Sequence, residues 1–398
     1  MRLRRQTTIC REGLYFLAII ALVFGGAVIK EVNLLLILAG MLLGPFLLNW
    51  RAVKANLCGL KVERNLPLRI CAGDVLSVDL NLTNTRKKLG SWAVVVEEQI
   101  QREVSNGRNN HRGQPTLRPS VLFPYAPAGQ SRKGAYRGRL VERGRYHLGP
   151  LRASTRFPFG LFSRTITLGE PETLVVLPRL GRLTQGWAAR RREALAGTDR
   201  RRQQPGTEGD FYGVREWRSG DGQRLIHWRT SARAGKLVVR QFERPRSRDV
   251  AVVLDLWQPE PHRPEHAENV ELAVSFAATV LANLCRKGGS NISLAVTNGA
   301  PQCTGGPASS ATLQRLIEQL ALIEAQADTS LPALLAATLR QVNAGTEIVL
   351  VSTRAVDLTD AAQFMEILSD PVMRDRARRI LCVNTASDRL AEYFSPDP

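Results

Sequence analysis

The residues best suited to chemistry in this 398-residue chain lie between Trp217 and Glu243. Basic, aromatic and turn-forming residues are closely spaced in this segment. Guanidinium groups hold phosphates or carboxylates through paired hydrogen bonds, so these arginines could form an anion site. A solvated, salt-bridged surface is the alternative, and the residue types leave both open. The candidate residues for protein interaction or anion binding are Trp217, Arg218, Gly220, Asp221, Arg224, Trp228, Arg229, Arg233, Lys236 and Arg240.

The spacing within this segment predicts a turn, a helix and a strand. Gly220 to Gly222 has the composition of a tight turn, with Asp221 placed to cap the following helix. Gly235 stands where a left-handed helix C-cap belongs, and Lys236 to Phe242 is expected to be a strand. Trp217 and Trp228 are expected to pack at a domain junction.

Catalytic chemistry is not expected from this segment. His227, Asp221 and Ser231 share one short stretch, and no strained Gly-x-Ser-x-Gly elbow surrounds the serine. The chain also lacks the Gly-x-x-x-x-Gly-Lys-Ser/Thr loop of nucleotide hydrolases. The sequence therefore predicts a non-enzymatic protein.

The composition indicates an anionic partner. The formal net charge is +19, which favours nucleic acid, anionic lipid or acidic protein surfaces. The six cysteines are scattered without CxxC pairs, which favours free thiols over a zinc site or a disulfide framework.

Residues 1–55 are predicted to form a two-helix membrane anchor, with helices at about 14–30 and 32–50. Two apolar runs separated by Lys30-Glu31 differ from a cleavable signal peptide, which has a single apolar core. Basic residues flank the pair on both sides, so the positive-inside rule places both ends in the cytoplasm. A buried helical hairpin in a soluble protein is the alternative.

Residues 56–182 are predicted to form an antiparallel, immunoglobulin-like β-sandwich. Leu76 to Thr83 alternates apolar and polar side chains, as a half-buried strand does, and Gly and Pro turns recur. Ser105 to Gly129 is polar and is expected to be a long mobile loop. The run Phe157 to Phe162 is interpreted as a turn whose aromatics close the sandwich core, with an aromatic binding ridge as the alternative.

Residues 183–248 are interpreted as a basic linker followed by the motif segment, and residues 249–398 as an α/β domain. Apolar runs alternate with helical patterns in this last region, which predicts a doubly wound parallel sheet. The expected strands are 250–254, 292–296, 348–351 and 380–383, and the expected helices are 268–286, 313–322, 331–342 and 361–368.

Trp217 to Glu243 strongly resembles the signature of the domain of unknown function 58 family. Gly144 to Pro150 and Phe157 to Phe162 resemble upstream markers of the same family, as do the paired apolar helices. The resemblance implies a bacterial membrane-anchored protein with a von Willebrand factor type A-like C-terminal domain. It also implies MoxR-type AAA+ ATPases and other membrane proteins as neighbours, and no established catalytic activity.

Type A domains that bind magnesium carry Asp-x-Ser-x-Ser after their first strand, because hydroxyl and carboxylate oxygens suit that cation. Asp255 matches the aspartate here, but Trp257 and Pro259 occupy the serine positions. Ser352, Thr353 and Asp357 add too few oxygens. A degenerate site without metal is therefore expected at Asp255, no cofactor is expected, and the carboxyl ends of the strands are expected to be a docking edge.

Together these features predict a membrane-anchored interaction or scaffold protein that acts with a MoxR-type AAA+ ATPase in assembling or maturing a protein complex. The expected location is the bacterial inner membrane, multi-pass, with the body in the cytoplasm. The alternative is a membrane-associated nucleic-acid-binding protein that uses the arginine-rich region 179–248. The motif's lack of exposed aromatics interleaved for base stacking argues against that alternative.

Overall fold

The computed structural model describes most of the chain, in two compact units. The units comprise Met1–Leu177 and Pro178–Pro398. The described residues are 5–103, 116–199, 205–219, 221–243, 249–260, 263–298, 300–327, 330–387 and 389–396.

The first unit begins with two long apolar helices, as predicted. They are α1 (Arg11–Lys30) and α2 (Asn33–Asn56), joined at Glu31 and Val32. Both are long and apolar enough to cross a bilayer, and most of their large apolar side chains are exposed. Each extends beyond its predicted run, because polar residues that the hydropathy pattern excluded continue the helix.

Short strands make up the rest of this unit. Their bounds are β1 (Arg5–Ile9), β2 (Leu60–Asn65), β3 (Ile70–Cys71), β4 (Val75–Asn84), β5 (Ser91–Glu97), β6 (Ile100–Arg102), β7 (Ser120–Ala126), β8 (Ser131–Arg139), β9 (Gly144–Leu148), β10 (Leu151–Thr155), β11 (Phe162–Leu168) and β12 (Glu172–Leu177).

Three sheets enclose one apolar core in this unit. Their strand orders are β1-β11-β10-β5-β7, β3-β12-β9-β6 and β2-β4-β8. All pairings are antiparallel except the short β3–β12 pair. Inward residues such as Leu80, Val94 and Leu148 form a single cluster, as the predicted period-two alternation requires.

The predicted loop at Ser105 to Gly129 is wrong over Ser120–Ala126, which is strand β7. This strand contains Pro124 and several exposed residues, so it carries a weak strand pattern. It is nevertheless held at the sheet edge by pairing with β5. Residues 104–115 of the predicted loop lie outside the described residues.

Both ends of the helical pair attach to the same sheet. Strand β1 precedes α1 and pairs with β11. At the end of α2, the buried Asn56 side chain donates to Trp92 O at 2.6 Å and accepts from Trp92 N at 2.8 Å. The helices therefore start from and return to one end of the strand-rich body.

The second unit is a mixed α/β body. Its elements are β13 (Arg182–Leu183), α3 (Gln185–Asp199), β14 (Pro205–Glu216), α4 (Trp228–Ala234), β15 (Val238–Glu243), β16 (Val250–Asp255), α5 (Pro264–Lys287), β17 (Asn291–Asn298), β18 (Ala300–Pro307), α6 (Ser310–Leu322), α7 (Leu331–Gln341), β19 (Glu347–Ser352), α8 (Met365–Ser369), α9 (Pro371–Ala377), β20 (Leu381–Asn384), α10 (Leu390–Tyr393) and β21 (Phe394–Ser395).

A five-stranded sheet is the centre of this unit, with the order β18-β17-β16-β19-β20. Strands β17, β16, β19 and β20 are parallel, and β18 is an antiparallel edge. Helices α5 and α6 cover one face, and α7, α8 and α9 cover the other. Every residue of β16 and β19 is buried, which explains their continuous apolar runs.

The chain crosses to opposite sides of β16, so β16 and β19 define a switch point in the sheet. Crevices outside the carboxyl ends of such strands are common ligand sites in open α/β sheets. Asp255 ends β16 and Ser352 ends β19, directly opposite each other in the register.

Helix α3 lies in the region that was interpreted as a basic linker. Its Trp187 is 5% exposed and packs edge-on against Phe276 of α5, with ring centroids 5.2 Å apart. Arg191 makes a two-pronged ion pair with Glu347 at 2.7 and 2.8 Å. The start of α3 is therefore part of the α/β core.

A buried ionic cluster in the first unit yields a stability prediction. Arg64 and the Tyr136 hydroxyl both donate to Glu98, and the Arg64 and Glu98 side chains are 2% and 0% exposed. Glu98→Ala would leave both donors buried without that carboxylate, so we expect a loss of about 3–5 kcal/mol in the free energy of unfolding. Urea unfolding in detergent measures this. Glu97→Ala is the control, because the Glu97 side chain is exposed and its removal should have little effect on the free energy of unfolding. Equal losses from the two substitutions would contradict the role assigned to Glu98.

Candidate functional site

The signature segment is the tip of a β-hairpin. Strands β14 and β15 pair antiparallel, with Arg215 opposite Val239 and Glu216 opposite Val238. The connection contains a 3₁₀ turn at Gln223–Leu225 followed by α4. The predicted strand after Gly235 is confirmed at Val238–Glu243. The antiparallel pair thus fixes both ends of a folded loop that carries the candidate residues.

Asp221 closes this loop. Arg215 donates to its two carboxylate oxygens at 2.6 Å each, and the Arg218 backbone N–H donates at 2.8 Å. The hydrogen bonds from Arg215 are the main reason why the pKa of Asp221 falls to about 2. These three hydrogen bonds on a short loop make the aspartate a clamp between the strand and the turn.

The predicted role of Asp221 as a helix cap is wrong. Helix α4 begins at Trp228, after the 3₁₀ turn, and its N-cap is His227, whose Nδ1 accepts from Thr230 N at 3.2 Å. The distance in sequence between Asp221 and Trp228 leaves the aspartate free to turn back to Arg215. The left-handed C-cap at Gly235 is confirmed, with φ of 67°.

The residues considered for catalysis have structural partners. The Ser231 hydroxyl accepts from Val238 N at 2.9 Å and lies 3.1 Å from the carbonyl oxygen of His227. Ser231 is buried, and Ile226 forms an isolated bridge to Val239 beneath it. His227 and Ser231 therefore join α4 to β15.

Helix α4 presents an exposed basic and aromatic face. Trp228 is 66% exposed, so the expectation that it packs at a junction is wrong. Arg224, Arg229 and Arg233 are exposed beside it, and no carboxylate pairs with them within the described part of the chain. We call Arg224, Trp228, Arg229 and Arg233 the α4 face. Its arginines remain available to an external anion.

The other predicted residues divide between the loop and its flanks. Trp217 is 38% exposed and its Nε1 donates to Asp221 O at 3.4 Å, while the Arg218 side chain is exposed. Lys236 pairs with Glu216, and Arg240 is exposed on β15. Gly220 lies outside the described residues.

Sequence reasoning missed Arg215, the arginine that engages the clamp. Arg215 stands among several arginines, and composition alone does not distinguish it. Its position on β14 opposite Val239 is the feature that selects it, and that register is visible only in the structure.

A second cluster occupies the switch point of the sheet. Asp255 is 2% exposed and its Oδ2 accepts from Ser352 Oγ at 2.9 Å and from Arg354 Nε at 3.0 Å. The Arg354 guanidinium also lies over the Trp257 ring, 5.4 Å from its centroid. The cation that faces Asp255 is therefore the guanidinium group of Arg354. Thr353 Oγ1 donates to Trp257 O at 2.6 Å, and Asp357 accepts from Thr359, so both are bonded locally.

A pocket of about 350 Å³ adjoins this cluster. Its lining residues are Ser330, Leu331, Pro332, Arg354, Ala355, Val356 and Gln363. It lies where α7 begins, next to the carboxyl end of β19. Among the described residues, no group of three or more His, Cys, Asp or Glu side chains could hold a metal ion.

A protein-family model matches part of the chain. Residues 213–374 match the model of the family described as Protein of unknown function DUF58. This match confirms the resemblance that Trp217 to Glu243 carries. The match includes the hairpin tip, the switch-point cluster and most of the five-stranded sheet.

A curated relative also matches part of the chain. The chain is 26% identical over 220 residues to an uncharacterised protein, YeaD, of Bacillus subtilis (strain 168). The match covers 54% of this chain and 50% of that protein, so the chain spans about half the length of its relative.

Two solved structures are distant likenesses. A CARDB domain from Pyrococcus furiosus is matched over 30% of this chain and 94% of that one, at 13% identity and a TM-score of 0.20. The sporulation control protein Spo0M of Bacillus subtilis is matched over 40% of this chain and 58% of that one, at 10% identity and a TM-score of 0.20.

The clamp predicts a pH dependence confined to the loop. Because the folded pKa of Asp221 is about 2, below its ordinary 3.8, the stabilisation by Arg215 is complete above pH 3.8 and is lost as the pH falls through about 2. We expect Asp221→Asn to speed hydrogen exchange at the Arg218 amide, and acid to do the same in the wild type after correction for intrinsic rates.

Glu216→Gln is the matched control. It removes the exposed pair with Lys236, and exposed pairs contribute little to stability. Exchange at Arg218 should not change. Equal acceleration by both substitutions would show that the loop responds to any lost charge and would contradict the clamp.

Proposed function

We propose that the chain is a membrane-anchored, non-enzymatic interaction protein whose α4 face binds an acidic protein surface. The observation that carries the proposal is the exposure of Trp228 among arginines that lack an internal carboxylate partner in the described chain. Tryptophan and arginine are the side chains enriched at interaction hot spots. Arginine also suits a carboxylate partner because its donors form a planar fork.

The way the loop is built supports binding over catalysis. Asp221, His227 and Ser231 are engaged with groups of the hairpin itself. Their hydrogen bonds hold the exposed face in shape, and a pre-shaped surface binds with a smaller entropy cost.

The partner we propose is a MoxR-type AAA+ ATPase, acting with this chain in the assembly or maturation of a protein complex. This choice rests on the family resemblance, which also implies neighbouring membrane proteins. The acidic chemistry of the contact rests on the α4 face.

The α/β body is proposed to be von Willebrand factor type A-like. The strand order, the helices on both faces and an aspartate at the end of the first strand support this fold. Arg354 then supplies the positive charge beside Asp255, and we propose that the site works without metal. The carboxyl ends of β16 and β19 would be a second docking edge.

The helical pair is proposed to anchor the chain in a bacterial inner membrane, with both termini and the body in the cytoplasm. The attachment of β1 and of the end of α2 to one sheet supports a hairpin that enters and leaves on one side. Arg11, Arg51 and Lys54 lie at that side, where the positive-inside rule expects them.

Nucleic-acid binding through region 179–248 is the second candidate. The exposed Trp228 favours it, because an aromatic ring flanked by cations is a stacking platform for bases. The expected lack of exposed aromatics in the motif is therefore wrong. Such binding would weaken steeply as salt rises.

A paired binding measurement separates the two candidates. Purified full-length protein in detergent is tested against the ATPase and against single-stranded DNA, each over a salt series. We expect Trp228→Ala with Arg229→Glu to weaken ATPase binding by about 2 kcal/mol, or roughly 30-fold, as hot-spot losses do.

Arg286→Glu is the control, since it reverses an equally exposed charge near the end of α5. It should leave ATPase binding unchanged. Tight, salt-sensitive DNA binding that the α4 variant abolishes, with no ATPase binding, would replace the first candidate by the second.

A further inference from the structure

The turn between β10 and β11 reaches the base of the helical pair. Leu161 and Phe162 are buried against α2, with the Phe46 and Phe162 ring centroids 4.9 Å apart. The buried Asn49 side chain accepts from Phe162 N at 3.1 Å, and Leu161 O accepts from Cys10 N at 2.9 Å. The aromatic run therefore joins the sheet to both helices. Its predicted part in closing the sandwich core is wrong, because Phe157 and Phe159 are exposed and Phe162 packs on the helices.

The position of this contact along α2 sets its depth. Phe46 precedes Trp50 by one helical turn, about 6 Å, on the side of the apolar run. Trp50 is 44% exposed and Lys54 lies over its ring, 3.3 Å from the centroid. Such a tryptophan and lysine pair is typical of the membrane–water boundary. The turn therefore lies level with that boundary.

Exposed aromatic side chains surround the turn. Phe157 is 37% exposed and Phe159 53% exposed. Trp92, held by Asn56 at the end of α2, is 47% exposed; it stacks on Phe157 at 5.8 Å and contacts Tyr125 at 4.2 Å. Neighbouring exposed side chains of one aromatic or apolar kind usually mark a contact surface.

Basic residues border the aromatics. Lys87, Lys88 and Arg156 are exposed, and Leu89, which follows Lys88, is 60% exposed. Amphipathic aromatics with basic neighbours match the headgroup region of an anionic leaflet. We name Lys87, Lys88, Leu89, Trp92, Tyr125, Arg156, Phe157 and Phe159 the collar.

We propose that the collar lies in the headgroup and upper acyl region of the bilayer that holds α1 and α2. The inference rests on the proposed insertion of the helices. The occupant follows from continuity, because the collar adjoins the boundary end of α2 through Asn49 and Asn56, and from charge, because its borders are basic. The collar fixes the strand-rich unit against the membrane instead of leaving it on a free tether.

Depth-dependent quenching tests the collar. The six native cysteines are replaced, and single cysteines are introduced as Phe159→Cys, Leu89→Cys, Ile37→Cys or Val141→Cys in the full chain. Each is labelled with a polarity-sensitive fluorophore and reconstituted with phosphatidylglycerol-containing vesicles. Spin-labelled lipids then quench from the headgroup or from deep in the acyl chain.

The four positions distinguish the collar from the anchor. Ile37 is the fifth residue of α2, about 20 Å along the helix from Trp50, and is 61% exposed. Val141 is 77% exposed and follows β8. It lies near the Val75 end of β4, and Asn84 is at the other end of that strand. Ten strand residues place it about 30 Å from the collar. We expect deep quenching at Ile37, shallow quenching with a blue shift at Phe159 and Leu89, and neither at Val141.

Quenching at Ile37 with none at Phe159 and Leu89 overturns the collar and leaves the anchor intact. A blue shift at both collar positions without lipid quenching would place a protein there and also overturns it. Absence of quenching at Ile37 removes the anchor itself, and the collar with it. Two independent collar positions guard against one label disturbing the turn.

Discussion

The clamp formed by Arg215 and Asp221 is the interaction on which the signature loop depends. A carboxylate that accepts from one guanidinium and one backbone N–H has little capacity left for other donors. The remaining arginines of the loop therefore have no acidic group of the loop to turn to, and helix α4 carries them outward. Exposure of the α4 face is therefore a consequence of the pairing of Asp221, the acid of the loop, with Arg215.

An aspartate is also paired with an arginine of the same chain at the switch point of the sheet. Asp255 ends a fully buried strand, where an unpaired carboxylate would be costly. Ser352 and Arg354 from the adjacent strand end supply the hydrogen bonds and the charge. At both places an acid of the chain is matched by an arginine of the chain. The excess of 55 basic over 36 acidic residues then remains for surfaces.

Features set by local hydrophobic pattern could be predicted from the sequence. The apolar helices and the strands β16, β17, β19 and β20 are continuous apolar runs, and they were placed within a few residues. Strand β18 was missed because its glycines and prolines carry no strand pattern, and its place in the sheet depends on pairing with β17. Helix α9 was missed because it is a single short element, capped by Asp370.

The residues of the site could be predicted from the sequence, but their hydrogen-bond partners and their exposure could not. The left-handed cap at Gly235 follows from glycine chemistry, so it could be read directly. The partner of Asp221 and the exposure of Trp228 depend on the hairpin register and on where α4 begins, which no local pattern encodes. The resemblance to the family could be recognised from the sequence because the signature is long.

The central claim is that the α4 face is a protein-binding surface. A photocrosslinking amino acid at Trp228 in intact membranes tests it most directly, with a second probe at Val372, an equally exposed position on α9. The account predicts an adduct with a protein of acidic surface from Trp228, absent from Val372 and lost when Arg229 and Arg233 become glutamate. Adducts with nucleic acid, or the same adducts from both positions, would contradict it.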